Sequence, residues 1–238
     1  NKASTLTEKE RLWLDRLNRI GIGYFRPLIT SSFLSKNITS DERVKLFQAI
    51  ERSDVAVLVL DATQPLTAQD THIAGYIVEA YRGLVIAINK WDLVTGKGAS
   101  QAESRKLVLE RLRWVPYAPV CFTSAQTGLG IQNLLDKVLE VQKARHFIVP
   151  QQKLDRLLVD KVALQPAPSR GRRHLRVYKI TQTGTNPPTF TFHVNFPSLL
   201  HFSYERFLQN TLRATFGFPG SLIRLAFKTG TPPRTKRR

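Results

Sequence analysis

Two short apolar runs, Val55-Ala-Val-Leu-Val-Leu60 and Leu84-Val-Ile-Ala-Ile88, constrain this chain more than any other feature. Neither alternates apolar with polar residues, so neither can lie with one face in water. A strand of this kind must be covered on both faces, as in a parallel sheet. Between them, residues 67–80 place Ile73, Ala74, Ile77 and Ala80 at helical spacing behind Thr67, a suitable N-cap. Residues 101–113 read as a helix, 119–123 as a third strand and 131–141 as another helix. Three strand–helix repeats imply βαβ units with right-handed crossovers, and therefore an α/β fold with helices on both faces of a parallel sheet.

The pattern changes after His146. Ile148-Val149-Pro150 reads as a linker, 153–162 as a short helix and Gln165-Pro-Ala-Pro-Ser-Arg-Gly171 as a loop. Residues 175–180 and 189–194 alternate as half-buried strands around the turn 183–188. Residues 203–216 form an amphipathic helix stopped at Gly217, and 222–227 a last strand. The order α-β-β-α-β describes a small α+β domain. The expected organisation is an α/β domain over 1–146, an α+β domain over 151–228 and a basic, disordered tail over 229–238. Ahead of the first strand only a helix near 12–17, an extended stretch near 24–34 and a helix over 41–52 can be read.

Charge separates the two parts. Lys and Arg number 36 against 18 Asp and Glu. Residues 1–150 carry 20 basic and 15 acidic side chains, whereas residues 151–238 carry 16 and 3. A small domain at net +13 repels itself unless it meets a polyanion, and nucleic acid fits better than an anionic membrane surface. Arg170, Arg172, Arg173, Arg176 and Lys179 are the candidates for phosphate contacts. Tyr178, Phe190 and Phe192 could stack bases, but alternating aromatics of this kind are favoured as core. No apolar run is long enough to span a bilayer, nothing at the start resembles a signal peptide, and a single Cys121 fits a reducing, cytoplasmic setting. The chain contains no Met, even at position 1, so its first residue need not be where translation starts.

The motif that carries chemistry is Asn89-Lys90-Trp91-Asp92, directly after a buried strand. An Asp carboxylate can accept from the N1–H and exocyclic amine of guanine, donors that adenine does not offer. Asn supplies a donor and an acceptor for the other edge, and the Lys stem can lie along the ring. Such a site rejects bases that would leave its polar groups unpaired. Thr123-Ser124-Ala125-Gln126 ends the next strand, where the Ala125 N–H can meet guanine O6. Both loops fall at carboxyl ends of adjacent strands, where open α/β sheets bind ligands. The guanine-site candidates are therefore Asn89, Lys90, Asp92, Ser124 and Ala125; no metal-ligand set and no catalytic residue is assigned.

Residues 46–146 resemble the second G domain of the bacterial double-GTPase family called Der or EngA. The resemblance rests on Ala49-Ile-Glu-Arg-Ser-Asp-Val-Ala-Val-Leu-Val-Leu-Asp-Ala62, Gln69-Asp70, Ala74-Gly-Tyr-Ile77, Asn89-Lys-Trp-Asp-Leu-Val94 and Tyr117-Ala-Pro119. The basic part is similar to that family's KH-like domain in Gly184-Thr-Asn-Pro-Pro-Thr-Phe190, Leu200-His-Phe-Ser-Tyr204 and Phe216-Gly-Phe218, and like it lacks a GXXG loop. The resemblance implies a P-loop-GTPase-type sheet, a GTP/GDP ligand, and a role in maturing the large ribosomal subunit with the KH-like domain on ribosomal RNA.

The family's phosphate-binding elements are missing from the sequence. There is no Gly-x-x-x-x-Gly-Lys-Ser/Thr loop; Asn1-Lys-Ala-Ser-Thr-Leu6 echoes only its end. No Asp-x-x-Gly precedes the 41–52 helix, and Asp61 ends the strand after that position. Hydrolysis by the chain as written is not expected, and Mg²⁺ is expected only with a phosphate-binding half beyond this sequence. Three readings stay open: an incomplete GTPase, a member that has lost hydrolysis and kept ribosome binding as an RNA-binding scaffold, or one that needs a partner chain to bind nucleotide.

Overall fold

A computed structural model describes residues 40–96 and 98–230. The expectations for 12–17 and 24–34, and for the tail beyond Gly230, lie outside these residues. Contacts divide the described residues into two units, 40–142 with Pro219–Ser221, and Lys143–Phe218 with 222–230.

In the first unit, α1 (Ser40–Arg52) leads into β1 (Val55–Asp61), α2 (Ala68–Glu79), β2 (Gly83–Asn89), the single turn α3 (Asp92–Thr95), α4 (Gln101–Arg111), β3 (Val120–Phe122) and α5 (Ile131–His146). The strands form a parallel sheet in the order β1-β2-β3. As the middle strand, β2 has no exposed face: Leu84 to Ile88 are all at most 4% exposed. Helix α5 covers one side, where Val85, Cys121 and Val141 cluster with Val55, Leu134 and Val138. Helix α2 packs on β1 and β2. Its start is fixed by a capping box, with Thr67 Oγ1 accepting from Asp70 N and the Asp70 carboxylate accepting from Thr67 N. Among the described residues β1 is an edge strand, and the expectation that it is covered on both faces does not hold: Val57 and Val59, on one face, are 37% and 58% exposed.

The second unit holds α6 (Gln151–Leu157), which runs on into a π-helical turn (Leu158–Val162), then β4 (Ser169–Arg170), β5 (Arg173–His174), β6 (Val177–Gly184), β7 (Thr189–Val194), a 3₁₀ turn (Pro197–Leu199), α7 (Phe202–Phe216) and β8 (Arg224–Thr229). The sheet order is β6-β7-β8, with β7 antiparallel to β6 and parallel to β8. Leu154, Leu157, Ile180, Phe190, Phe192, Leu208 and Leu212 belong to one buried cluster. Phe190 and Phe192 are thus core, as the alternation favours, and Tyr178 is half-buried.

Three further expectations need correcting. The stretch 165–171 is not all loop: its end pairs as the β4–β5 hairpin, with Ser169 opposite His174 and Arg170 opposite Arg173. The strand read at 175–180 starts later and runs longer: Leu175 is buried in the core cluster and donates its N–H to Pro168 O instead of to a strand of the sheet. The last strand is shifted to Arg224–Thr229.

Glu79, the last residue of α2, is 2% exposed, and neither carboxylate oxygen has a hydrogen bond. Burial pushes its pKa up to about 7 from an ordinary 4.5. The folded chain thus keeps a proton that the unfolded chain releases, so stability falls as pH rises from about 4.5 to about 7 and is level beyond. Glu79→Gln should flatten that decline and stabilise the fold by about 1–2 kcal/mol at pH 8. Urea denaturation of both proteins at pH 4 and pH 8 checks it; equal differences at the two pH values would refute the assignment.

Candidate functional site

The parallel register sets Asp61 at the end of β1 beside Asn89 at the end of β2, and β3 brings Thr123 alongside. Three polar residues therefore stand at neighbouring carboxyl ends of strands. Thr123 N donates to Ile88 O, Trp91 N to Thr123 O and Ala62 N to Asn89 O, tying the three loops by their backbones. Trp91 is buried and meets the Phe122 ring edge-on at 4.5 Å between centroids.

Asn89 Oδ1 accepts from the Ala125 N–H at 3.0 Å and from Thr123 Oγ1 at 3.4 Å. A backbone N–H can only donate, so the amide orientation follows, and its NH₂ is presented on the opposite side. Ala125, expected to meet guanine O6, instead donates to Asn89 in this structure. A bound base would have to share that N–H. Ser124 is fully buried and shapes the loop: its N donates to Leu129 O, its O accepts from Gly128 N, and its Oγ accepts from Thr127 N.

Lys90 adopts a left-handed φ of 59°, rare for a residue with a side chain. Its ammonium donates to Asp61 Oδ2 at 2.6 Å. That contact, with the Thr63 hydroxyl and N–H on the other oxygen, holds the Asp61 carboxyl down at about 2. Asp92 stands in the first turn of α3, half-buried, and its Oδ1 is buried with no hydrogen-bond partner. A buried carboxylate oxygen without a donor is costly, and a ligand N–H would relieve it. Among the described residues no group of three or more His, Cys, Asp or Glu could hold a metal ion.

In the second unit, Arg170, Arg172 and Arg173 are carried by the β4–β5 hairpin, Arg176 stands just before β6, and Lys179 lies on β6; all five side chains are exposed. The hairpin turns through Gly171, at φ 60°, and Arg172, which is not at positive φ. A two-residue turn with only its first centre at positive φ is the II′ pattern, which takes Gly there. The turn holds three guanidinium groups within four consecutive residues on a short two-stranded support.

Comparison with known proteins bears on both units. The model of the elongation factor Tu GTP-binding domain matches residues 44–144, and that of the KH-domain-like C-terminal region of EngA bacterial GTPase enzymes matches 149–228. GTPase Der of Thermomicrobium roseum is 44% identical over 184 residues, 76% of this chain and 40% of that protein. Those of Chloroflexus aggregans (40% over 198 residues; 82% and 44%) and Lactobacillus acidophilus (43% over 182 residues; 76% and 42%) are similar to a like extent. This chain belongs to the Der family of GTPases. It spans less than half the length of these Der relatives.

Sequence reading missed two residues around the loops that carry Asn89 to Asp92 and Ser124 to Ala125. Asp61, set aside because it does not stand where the Asp-x-x-Gly motif would, is the anchor of Lys90; its register opposite Asn89 was the available signal. Gly130 is the other: at φ 73°, an added Cβ would lie 2.1 Å from Phe122 O. The loop carrying Ser124 and Ala125 can close only because that position has no side chain. Gly130→Ala should therefore cost about 2–4 kcal/mol. Chemical denaturation measures it, and a loss under 0.5 kcal/mol would show that the loop does not need this approach.

Proposed function

We propose that this chain is the guanine-reading and RNA-contacting portion of a Der-type GTPase that acts in assembly of the large ribosomal subunit in the cytoplasm. The observation that carries the nucleotide part is the buried, unpartnered Oδ1 of Asp92, three residues after Asn89, whose amide is fixed by Ala125 N–H. Guanine N1–H and its exocyclic amine would fill the Asp92 acceptors, and the Asn89 NH₂ would donate to the neighbouring edge. The Lys90 stem, held at its tip by Asp61, would lie along the base. Adenine would leave Asp92 without its donors, which is the source of selectivity. Phosphate binding and Mg²⁺ are expected only with a phosphate-binding half beyond this sequence, since most nucleotide affinity comes from amides, Lys and metal around the phosphates. No catalytic residue is assigned to the described residues.

Titration of the chain with fluorescent GDP and ADP, with and without Mg²⁺, tests this. GDP should bind at least 100-fold more tightly than ADP, and Asp92→Asn should remove most of that preference. Equal affinity for both nucleotides, or no loss in the variant, would refute guanine reading.

The RNA part rests on Arg170, Arg172, Arg173, Arg176 and Lys179, clustered and exposed in the unit that matches the EngA KH-like region. Four or five phosphate contacts give a log–log salt slope of about −3 to −4. Affinity for ribosomal RNA fragments should then fall roughly 100-fold between 50 and 200 mM salt. A flat response would exclude phosphate contacts as the basis of binding.

A further inference from the structure

Beside the basic hairpin lies a feature that phosphate binding does not require. A cavity of about 300 Å³ opens between β4–β5 and the turn after β7, lined by Arg170, Arg173, Phe196, Ser198 and Leu199. Phe196 is 38% exposed, an aromatic ring left in water next to the densest positive charge of the unit. The Arg173 guanidinium stands 5.5 Å from its centroid.

The two sides of the cavity are joined by one side chain. Asn195 Oδ1 accepts from the N–H of Phe196 and from that of Arg176, each at 2.8 Å, while its Nδ2 donates to His174 O at 2.8 Å. Phe196 and the end of β5 are thus held together rather than set by independent loops. Ser198, exposed at the 3₁₀ turn, offers a hydroxyl that both donates and accepts. Leu199 is buried and supplies an apolar wall. Between 161 and 204 the sequence holds six Lys and Arg and no Asp or Glu. A cationic ligand is therefore disfavoured, and an anionic one with a flat apolar face is favoured.

Those two properties coexist in a nucleotide whose base is not already stacked. Inside a duplex both faces of a base are covered, so only an unpaired base can offer one to an aromatic ring and a guanidinium plane. We propose that this cavity seats one unpaired RNA base, stacked on the Phe196–Arg173 pair, with Ser198 at its edge and a flanking phosphate on Arg170. The proposal rests on the RNA-binding reading above. It goes further by making the hairpin a reader of single-stranded positions rather than a general polyanion surface.

The test uses the whole chain, a short single-stranded RNA carrying 2-aminopurine, and a blunt RNA duplex of equal length, at low salt. Base stacking should quench the 2-aminopurine on binding. Phe196→Ala should weaken single-strand binding about 5- to 100-fold with little effect on the duplex, and Phe196→Trp should restore it. Arg172→Ala, at the hairpin tip and outside the cavity lining, should weaken both RNAs alike. If both RNAs bind with a steep salt dependence and Phe196→Ala changes neither, or both equally, the base seat is refuted and the phosphate-binding reading stands. If the unaltered chain binds neither RNA at low salt, the RNA reading falls and the base seat with it. Preference for an acidic, aromatic-containing peptide over either RNA would overturn both in favour of a protein partner. Phe196 is partly exposed, so unchanged circular dichroism and thermal midpoint of Phe196→Ala are the check that any loss is local.

Discussion

The complete burial of β2 is the constraint on which the first unit depends. Leu84 to Ile88 have no side in water, so β2 must be flanked by strands and roofed by helices. Its flanking strands run parallel to it, which requires crossover connections and aligns three carboxyl ends on one edge. Nothing about guanine is needed to explain why Asp61, Asn89 and Thr123 are neighbours. The polar residues of this edge are placed by the register, and the register is placed by apolar burial.

What the edge adds is a set of polar groups that restrain one another. Asn89 uses its oxygen to hold the Ala125 and Thr123 loop, which leaves only its NH₂ for a ligand. Lys90 bears an unfavourable φ, which persists because its neighbours over-determine it. Trp91 next to it is buried against Phe122, and the Lys90 ammonium is fixed on Asp61. The Lys90–Asp61 contact is half in solvent and contributes little to stability by itself. Its effect is to stop the Lys stem from wandering. Asp92 has no such restraint on Oδ1, which makes it the one carboxylate of the loop with an acceptor still to be filled.

Much of this was legible in the sequence, for a physical reason. Continuous apolar runs and a helical repeat are statements about burial, and burial decided β2, α2 and α5; the run at β1 marked a strand but not its cover, since Val57 and Val59 are exposed. The Asn89-Lys-Trp-Asp92 and Thr123-Ser-Ala loops could be placed because each directly follows such a run. The β4–β5 hairpin could not be read, since two residues per strand leave no periodicity to detect; Gly171 alone marked a turn. Nor could the pairing of Ala125 with Asn89 be seen, because a long-range backbone-to-side-chain bond leaves no trace in spacing. In the second unit the shifted limits of β6 and β8 have the same origin: Leu175 and Ile223 are buried without being in strands, so apolarity and strand membership part company there.

The second unit has the opposite problem from the first. Its core is apolar and closed, yet its charge is unbalanced, with 16 basic and 3 acidic residues from 151 onward. Where its cations are partly engaged, neutral oxygens do the work: Lys161 donates to Thr215 Oγ1 and Arg213 to Phe218 O. Such bonds direct side chains without cancelling charge. The folded unit therefore carries a self-repulsion that dilute salt relieves only in part. A polyanion would relieve it far more, and anything that binds the folded unit alone also stabilises it. Salt then acts in opposite senses on the two equilibria: it eases the repulsion within the fold and weakens the attraction to the ligand. The core that includes Phe190, Phe192, Leu208 and Leu212 is apolar, so it contributes packing but no counter-charge to that surface.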